Sequence, residues 1–148
     1  MSQAIRLRRV LIATLILTAT MTTFPVGAAH AAQVSEGSLR TASTSTKVCP
    51  VDWRKGSFYV KKLIRCSAHF YGVNADKALY IANRESHFRP KAYNDSSCAK
   101  GIYQHLCVYW PGRAKTYGFR DWSAFNARAN IMVTIRMVKK HGWAPWGG

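Results

Sequence analysis

Between residues 48 and 148 the chain carries a single glutamate, Glu85, and its neighbours set it apart. Ala78, Ile81, Ala82 and Glu85 recur at i, i+3, i+4 and i+7, the spacing that brings side chains onto one face of a helix. A carboxylate in the last turn of an apolar face is disfavoured in its charged form twice over. It loses water, and it meets the partial negative charge at the helix C-terminus. A carboxylic acid kept partly protonated near neutral pH is what general acid catalysis needs. The competing reading is a plain ion pair, because Arg84, Arg89 and Lys91 all lie close in sequence. His87, just past the expected helix end, reads as a surface or structural histidine rather than a base.

Helices must position Glu85. The spacing of Val60, Leu63, Ile64 and Ser67 predicts a helix over 57–71, closed by Gly72. Asn74 is an N-cap for a second helix over 75–86, which carries Glu85 in its last turn. A third is marked by Ala127, Asn130, Ile131, Thr134, Ile135 and Val138. Lys139, Lys140 and His141 suit its C-terminal dipole, and Gly142 ends it. Trp110-Pro111 opens a shorter helix with Gly118 near its end. No run alternates with period 2, so the expected fold class is mainly α.

The chain has 148 residues, a formal charge of +16 and four cysteines. Residues 1–31 read as a signal peptide: Arg6, Arg8 and Arg9 form a basic start, Val10 to Leu17 is mostly apolar, and Ala29-His30-Ala31 is a small–x–small cleavage pattern. The apolar run is far shorter than the ~18 residues of a membrane-spanning helix, so stable membrane insertion is not expected. Residues 32–47 are small and polar and read as a flexible linker. That leaves 48–148 as one folded domain, small enough to need staples. Export to an oxidising compartment makes two disulfides the expected use of the cysteines. Of the three connectivities, Cys49–Cys66 with Cys98–Cys107 is the one expected. No C-x₂-C or H-x₃-H pattern calls for a metal.

Removing the leader takes three of the 22 basic residues and leaves the six acidic ones, a charge of +13. Such a cation seeks an anionic partner. Export, with no recognisable binding motif, disfavours nucleic acid. An acidic wall polymer fits better.

Glu85-Ser86-His87-Phe88-Arg89-Pro90-Lys91-Ala92-Tyr93-Asn94, followed by Gly101-Ile102-Tyr103-Gln104 and the later pair Asn130-Ile131, resembles the signature of the soluble lytic transglycosylases of the lysozyme-like superfamily. The resemblance covers roughly 70–146. It implies a compact lysozyme-like helical domain, here stapled by two disulfides and acting as a monomer. It also implies cleavage of the β-1,4 bond between N-acetylmuramic acid and N-acetylglucosamine in peptidoglycan, with no cofactor. Glu85 would match the single catalytic acid/base and Gln104 the glutamine near the cleft. Ser86 would support the carboxylate or touch sugar, Asn130 would match the later Asn-Ile motif, and Tyr103 would gain a place to stack on the substrate. Ile102 replaces a common Leu, the flanking Cys98 and Cys107 are unusual, and a later Tyr-rich motif has no clear match.

Most glycosidases use two carboxylates across the scissile bond. Asp95 is the only aspartate placed to partner Glu85, although within Asn94-Asp95-Ser96-Ser97 a turn role is the simpler expectation. Two rivals therefore stand beside the transglycosylase: a hydrolytic muramidase on the same fold, and a non-catalytic cationic wall-binding or antimicrobial protein. Tyr109, Trp110, Trp143 and Trp146 are further candidates to stack on sugar, with core packing the alternative for each.

Overall fold

The structure, a computed structural model, describes residues 48–148. The expected signal peptide and linker lie outside the described residues. Four α-helices fall where periodicity and caps put them. Helix α1 spans Ser57–Tyr71 and stops at Gly72, whose left-handed backbone returns its N–H to Ala68 and His69 carbonyls. Helix α2 spans Ala75–Ser86, with the Asn74 side chain accepting from Lys77 N–H at 2.8 Å. Helix α3 is the short Trp110–Thr116 segment with Pro111 in its first turn. Helix α4 spans Ala127–His141, is capped by Asn126, and ends before Gly142. Trp53–Lys55 and Ala144–Trp146 add single 3₁₀ turns. Among the described residues no helix is long and apolar enough to cross a membrane.

Helix α4 is the centre of the molecule. Its spacing suggests one apolar face, yet every residue from Ala127 to Ile135 is buried. A helix covered on all sides is an interior helix. Helix α1 packs on it and on α2, and α3 lies along it. Even Arg128 is enclosed: its Nη1 and Nη2 donate to the carbonyls of Cys49 (2.9 Å) and Val51 (2.6 Å).

Between α2 and α3 runs a small antiparallel sheet that sequence reading misses: β1 (Tyr93–Asn94), β2 (Ala99–Lys100) and β3 (His105–Leu106). Tyr93 pairs with Lys100, and Lys100 with His105. Strands two residues long are too short to show an alternating pattern. The expected disulfides are both present. Cys49–Cys66 ties the N-terminal segment to α1, and Cys98–Cys107 closes the β2–β3 hairpin across its open end. On a chain-entropy view each is worth about 3 kcal/mol.

The side chain of Asn130, in the first turn of α4, holds this sheet to the helices. Its Oδ1 accepts from Tyr103 N–H at 3.0 Å, and its Nδ2 donates to the carbonyls of Ala124 (2.9 Å) and Lys100 (3.2 Å). That contact is so close that Gly101, at φ +80°, is the one residue able to sit over it. An added Cβ would overlap the Ala124 carbonyl oxygen and the Asn130 amide. Gly101→Ala is expected to cost about 3 kcal/mol or more in denaturant unfolding, through combined overlap and positive φ. Gly112→Ala, in α3 with nothing within 4 Å of the new Cβ, is expected to gain up to about 1 kcal/mol in the same measurement.

Candidate active site

Helix α2 ends abruptly. His87 (φ 53°) and Phe88 (φ 62°) both take left-handed backbone, and the His87 N–H returns to the Ala82 and Asn83 carbonyls. The reversal leaves Glu85 at the rim of a cleft of roughly 480 Å³ between the end of α2, the sheet, α3 and the turn at Pro145–Gly147. His87 is thus a helix-ending residue, in keeping with its structural reading.

Glu85 is not buried on the apolar face. Its side chain is 23% exposed and forms an ion pair with Arg84. Arg84 Nε and Nη2 both donate to Oε1, at 3.0 and 2.7 Å, and Nη2 also donates to the Trp146 carbonyl at 2.6 Å. The competing sequence reading, an ion pair with a near neighbour, is therefore realised in Arg84. Glu85 ends up at the edge of the face because the buried stripe of α2 runs through Ala78, Ile81, Ala82 and Ser86. Oε2 has no hydrogen-bond partner among the described residues. One oxygen of the carboxylate is held by Arg84 and the other has no partner among the described residues of the cleft.

Gln104 lines the same cleft. Its backbone is left-handed (φ 47°), and its Nε2 donates to the carbonyls of Gly101 (2.8 Å) and Ala92 (3.3 Å). The amide is locked, and Oε1 has no partner among the described residues. Asn94 and Ser97 complete the opposite lip. Asp95 lies between them on an exposed turn in which Asn94 Oδ1 accepts from Ser96 N–H and Ser97 N–H. It does not line the cleft, where Glu85 is the only acidic side chain among the described residues.

Three expected substrate contacts turn out to be structural. Tyr103 is fully buried: its ring packs beside Trp143 and Trp146, and its hydroxyl donates to the Ala78 carbonyl at 3.1 Å. Burial pushes its phenol far above the usual range, and it offers no face for stacking on sugar. Ser86 is buried, with Oγ donating to the Ala82 carbonyl. It lies on the core side of the helix, one position round from Glu85. Asn130 is spent on the sheet junction described above. Among the aromatic candidates Trp146 reaches the cleft wall, while its Nε1 donates to the Tyr103 carbonyl at 2.8 Å. Trp110 is buried against the loop at Trp122, and Tyr109 is exposed.

The sequence gives no sign of the group behind the cleft wall. His105, on β3, is completely buried. Its Nε2 lies 2.7 Å from Thr134 Oγ1 and its Nδ1 2.9 Å from Nη1 of Arg113, which lines the cleft. A histidine on a two-residue strand carries no spacing that would announce these partners.

A separate cavity of roughly 330 Å³ lies beside Trp53, Arg54 and Trp122. Its carboxylate, Asp52, is exposed and engaged in capping, accepting from Arg54 N–H at 3.2 Å. The two cavities share no residue, and the chemistry points to the Glu85 cleft. Among the described residues no three His, Cys, Asp or Glu side chains converge as a metal site would require.

Burial, reinforced by the Arg113 charge, pushes the His105 imidazole from 6.5 down to about 3. Between those values the unfolded chain binds a proton that the folded chain does not. The stability that depends on neutral His105 is therefore complete above pH 6.5 and is lost as pH falls towards 3. Urea unfolding between about pH 7 and 4.5 is expected to show this as a slope of up to ~1.4 kcal/mol per pH unit. His105→Gln is expected to flatten that slope.

No family model matches this chain, and neither a curated protein nor a solved structure shows significant similarity to it.

Proposed function

We propose that this protein is a secreted peptidoglycan-cleaving enzyme with a lysozyme-like fold, a lytic transglycosylase that breaks the β-1,4 bond between N-acetylmuramic acid and N-acetylglucosamine. The observation that carries this reading is the isolation of Glu85. It is the only acidic side chain among the described residues lining the cleft, and its Oε2 is unpartnered there. A hydrolase ordinarily needs a second carboxylate to activate water or form a covalent intermediate. A transglycosylase needs only one.

In this reaction protonated Glu85 gives its proton to the bridging oxygen as the C1–O bond breaks, and the departing sugar leaves as an alcohol. The N-acetyl carbonyl of the muramoyl residue steadies the positive charge at C1. Its own C6 hydroxyl then attacks C1 and returns a proton to Glu85. One glycosidic bond is exchanged for one 1,6-anhydro bond, and no water is consumed. The locked amide of Gln104 and the polar lip at Asn94 and Ser97 suit sugar hydroxyl and N-acetyl groups. The basic leader, the two disulfides and the excess of cations suit an exported protein retained by peptidoglycan and anionic wall polymers. The Arg84–Glu85 pair is the one observation favouring a non-catalytic wall-binding protein instead.

Digestion of purified peptidoglycan by the wild-type protein and by Glu85→Gln separates these readings. Anhydro-muropeptides, about one water lighter than hydrolysis products, are expected from the wild type. Glu85→Gln is expected to slow their release at least about 100-fold, the lower end of what general acid–base catalysis supplies. Reducing muropeptides would make the protein a hydrolase with Glu85 as its acid. Wall binding by both proteins without any product would make it the binding protein.

A further inference from the structure

Two arginines line the cleft, and they are not equivalent. Arg84 is committed to Glu85 and to the Trp146 carbonyl. Arg113 makes one hydrogen bond, to His105, and lies against the Tyr109 ring with its guanidinium carbon 5.3 Å from the ring centre. No carboxylate among the described residues comes within ion-pair distance of it. Partial burial already works against its charge, lowering the guanidinium from its ordinary value. A guanidinium that faces the cleft without a counter-ion is placed to take an anionic group from a ligand.

The hydrogen bonds behind Arg113 have one consistent assignment. Thr134 Oγ1 donates to the Asn130 carbonyl at 2.8 Å, so towards His105 it can only accept. His105 Nε2 therefore carries the proton, Nδ1 is the acceptor, and Arg113 Nη1 donates to it. Trp110 and Trp146 enclose the imidazole ring. The guanidinium is thus held at one nitrogen from behind, and its remaining N–H groups have no partner among the described residues. That is a preorganised donor fork, the group best matched to a carboxylate.

We propose that Arg113 is the specificity-determining residue of this cleft, binding a carboxylate carried by the glycan strand, and that His105 is the positioning residue that aims it. The proposal rests on the glycan-cleaving reading above and names the substrate feature which that reading leaves open. Two sources offer this chemistry: the lactyl carboxylate of strands stripped of peptide, and the carboxylates of the stem peptide.

The test is equilibrium binding, followed by tryptophan fluorescence, to Glu85→Gln protein so that the strands persist. Three probes are needed: a neutral N-acetylglucosamine hexamer, peptide-free glycan strands, and peptide-bearing strands. A carboxylate-bearing strand is expected to bind about tenfold tighter than the neutral hexamer, the worth of one charge-assisted hydrogen bond. Adding Arg113→Gln is expected to lower that ratio several-fold while leaving hexamer affinity in place. His105→Gln is expected to lower the same ratio, and to lower it no further once Arg113 is replaced. A merely structural role would weaken all three probes together. Preference for peptide-free strands assigns the lactyl group, and preference for peptide-bearing strands alone assigns the stem peptide. A ratio unchanged by Arg113→Gln, or equal weakening of every probe, would overturn the inference while leaving Glu85 and its chemistry standing. Failure of the parent protein to bind any of the strands would overturn the functional reading and this inference together.

Discussion

The amide of Asn130 is the interaction on which the arrangement of this protein depends. It lies on a helix enclosed on every side, where an unpaired polar group would be costly, and both its oxygen and its nitrogen are used. One side chain joins three otherwise separate pieces: α4, the loop entering it at Ala124, and the turn between β2 and β3. Gly101 is the necessary counterpart, because only a residue without Cβ permits the approach. Tyr103 follows it into the core and Gln104 turns back to the cleft. The two motif residues therefore face opposite ways because the Asn130 contact sets the turn between them.

That geometry explains which residues could be read in advance. Helices α1, α2 and α4 were legible because each repeats apolar positions over three or four turns and carries a cap: Gly72, Asn74 and Gly142. The nearest-neighbour disulfides were legible for the same local reason. The sheet was not, since two residues cannot display a period. In the site, Glu85 was found by its place in the last turn of α2, but its surroundings were misjudged. Helical spacing places a residue to within one position around the axis, and that is the difference between Ser86 in the core and Glu85 at the rim. Tyr103, Ser86 and Asn130 were expected at the substrate because their motif borders the cleft. The structure shows that much of such a motif is scaffold. Arg113 and His105 went unnoticed because their contact joins a two-residue strand to a short helix, neither of which shows a period that would pair them.

The cleft is electrostatically lopsided. It sets a single carboxylate against two guanidinium groups, one spent on that carboxylate and on a backbone carbonyl, the other held by a neutral imidazole. Trp110 and Trp146 enclose the buried imidazole at the back of the arginine–histidine contact. In such surroundings a hydrogen bond orients its partners more firmly than it would in water.

The hairpin that forms one side of the cleft has only two short ladders of backbone bonds, and what holds it to the helices is Ile102 and Tyr103 in the core and the Asn130 amide. Any partial opening of it has to draw those two side chains out of the core. The Cys98–Cys107 bridge changes what that opening can be. With its two ends joined, the hairpin can swing away from α4 only as one closed loop, and the chain can then find few conformations from which it fails to return. The bridge at Cys49–Cys66 has no such part in the motion of the cleft. Under reducing conditions the two losses would be of different kinds: one would spread over the whole fold, and the other would appear first as a floor and wall that no longer keep their spacing.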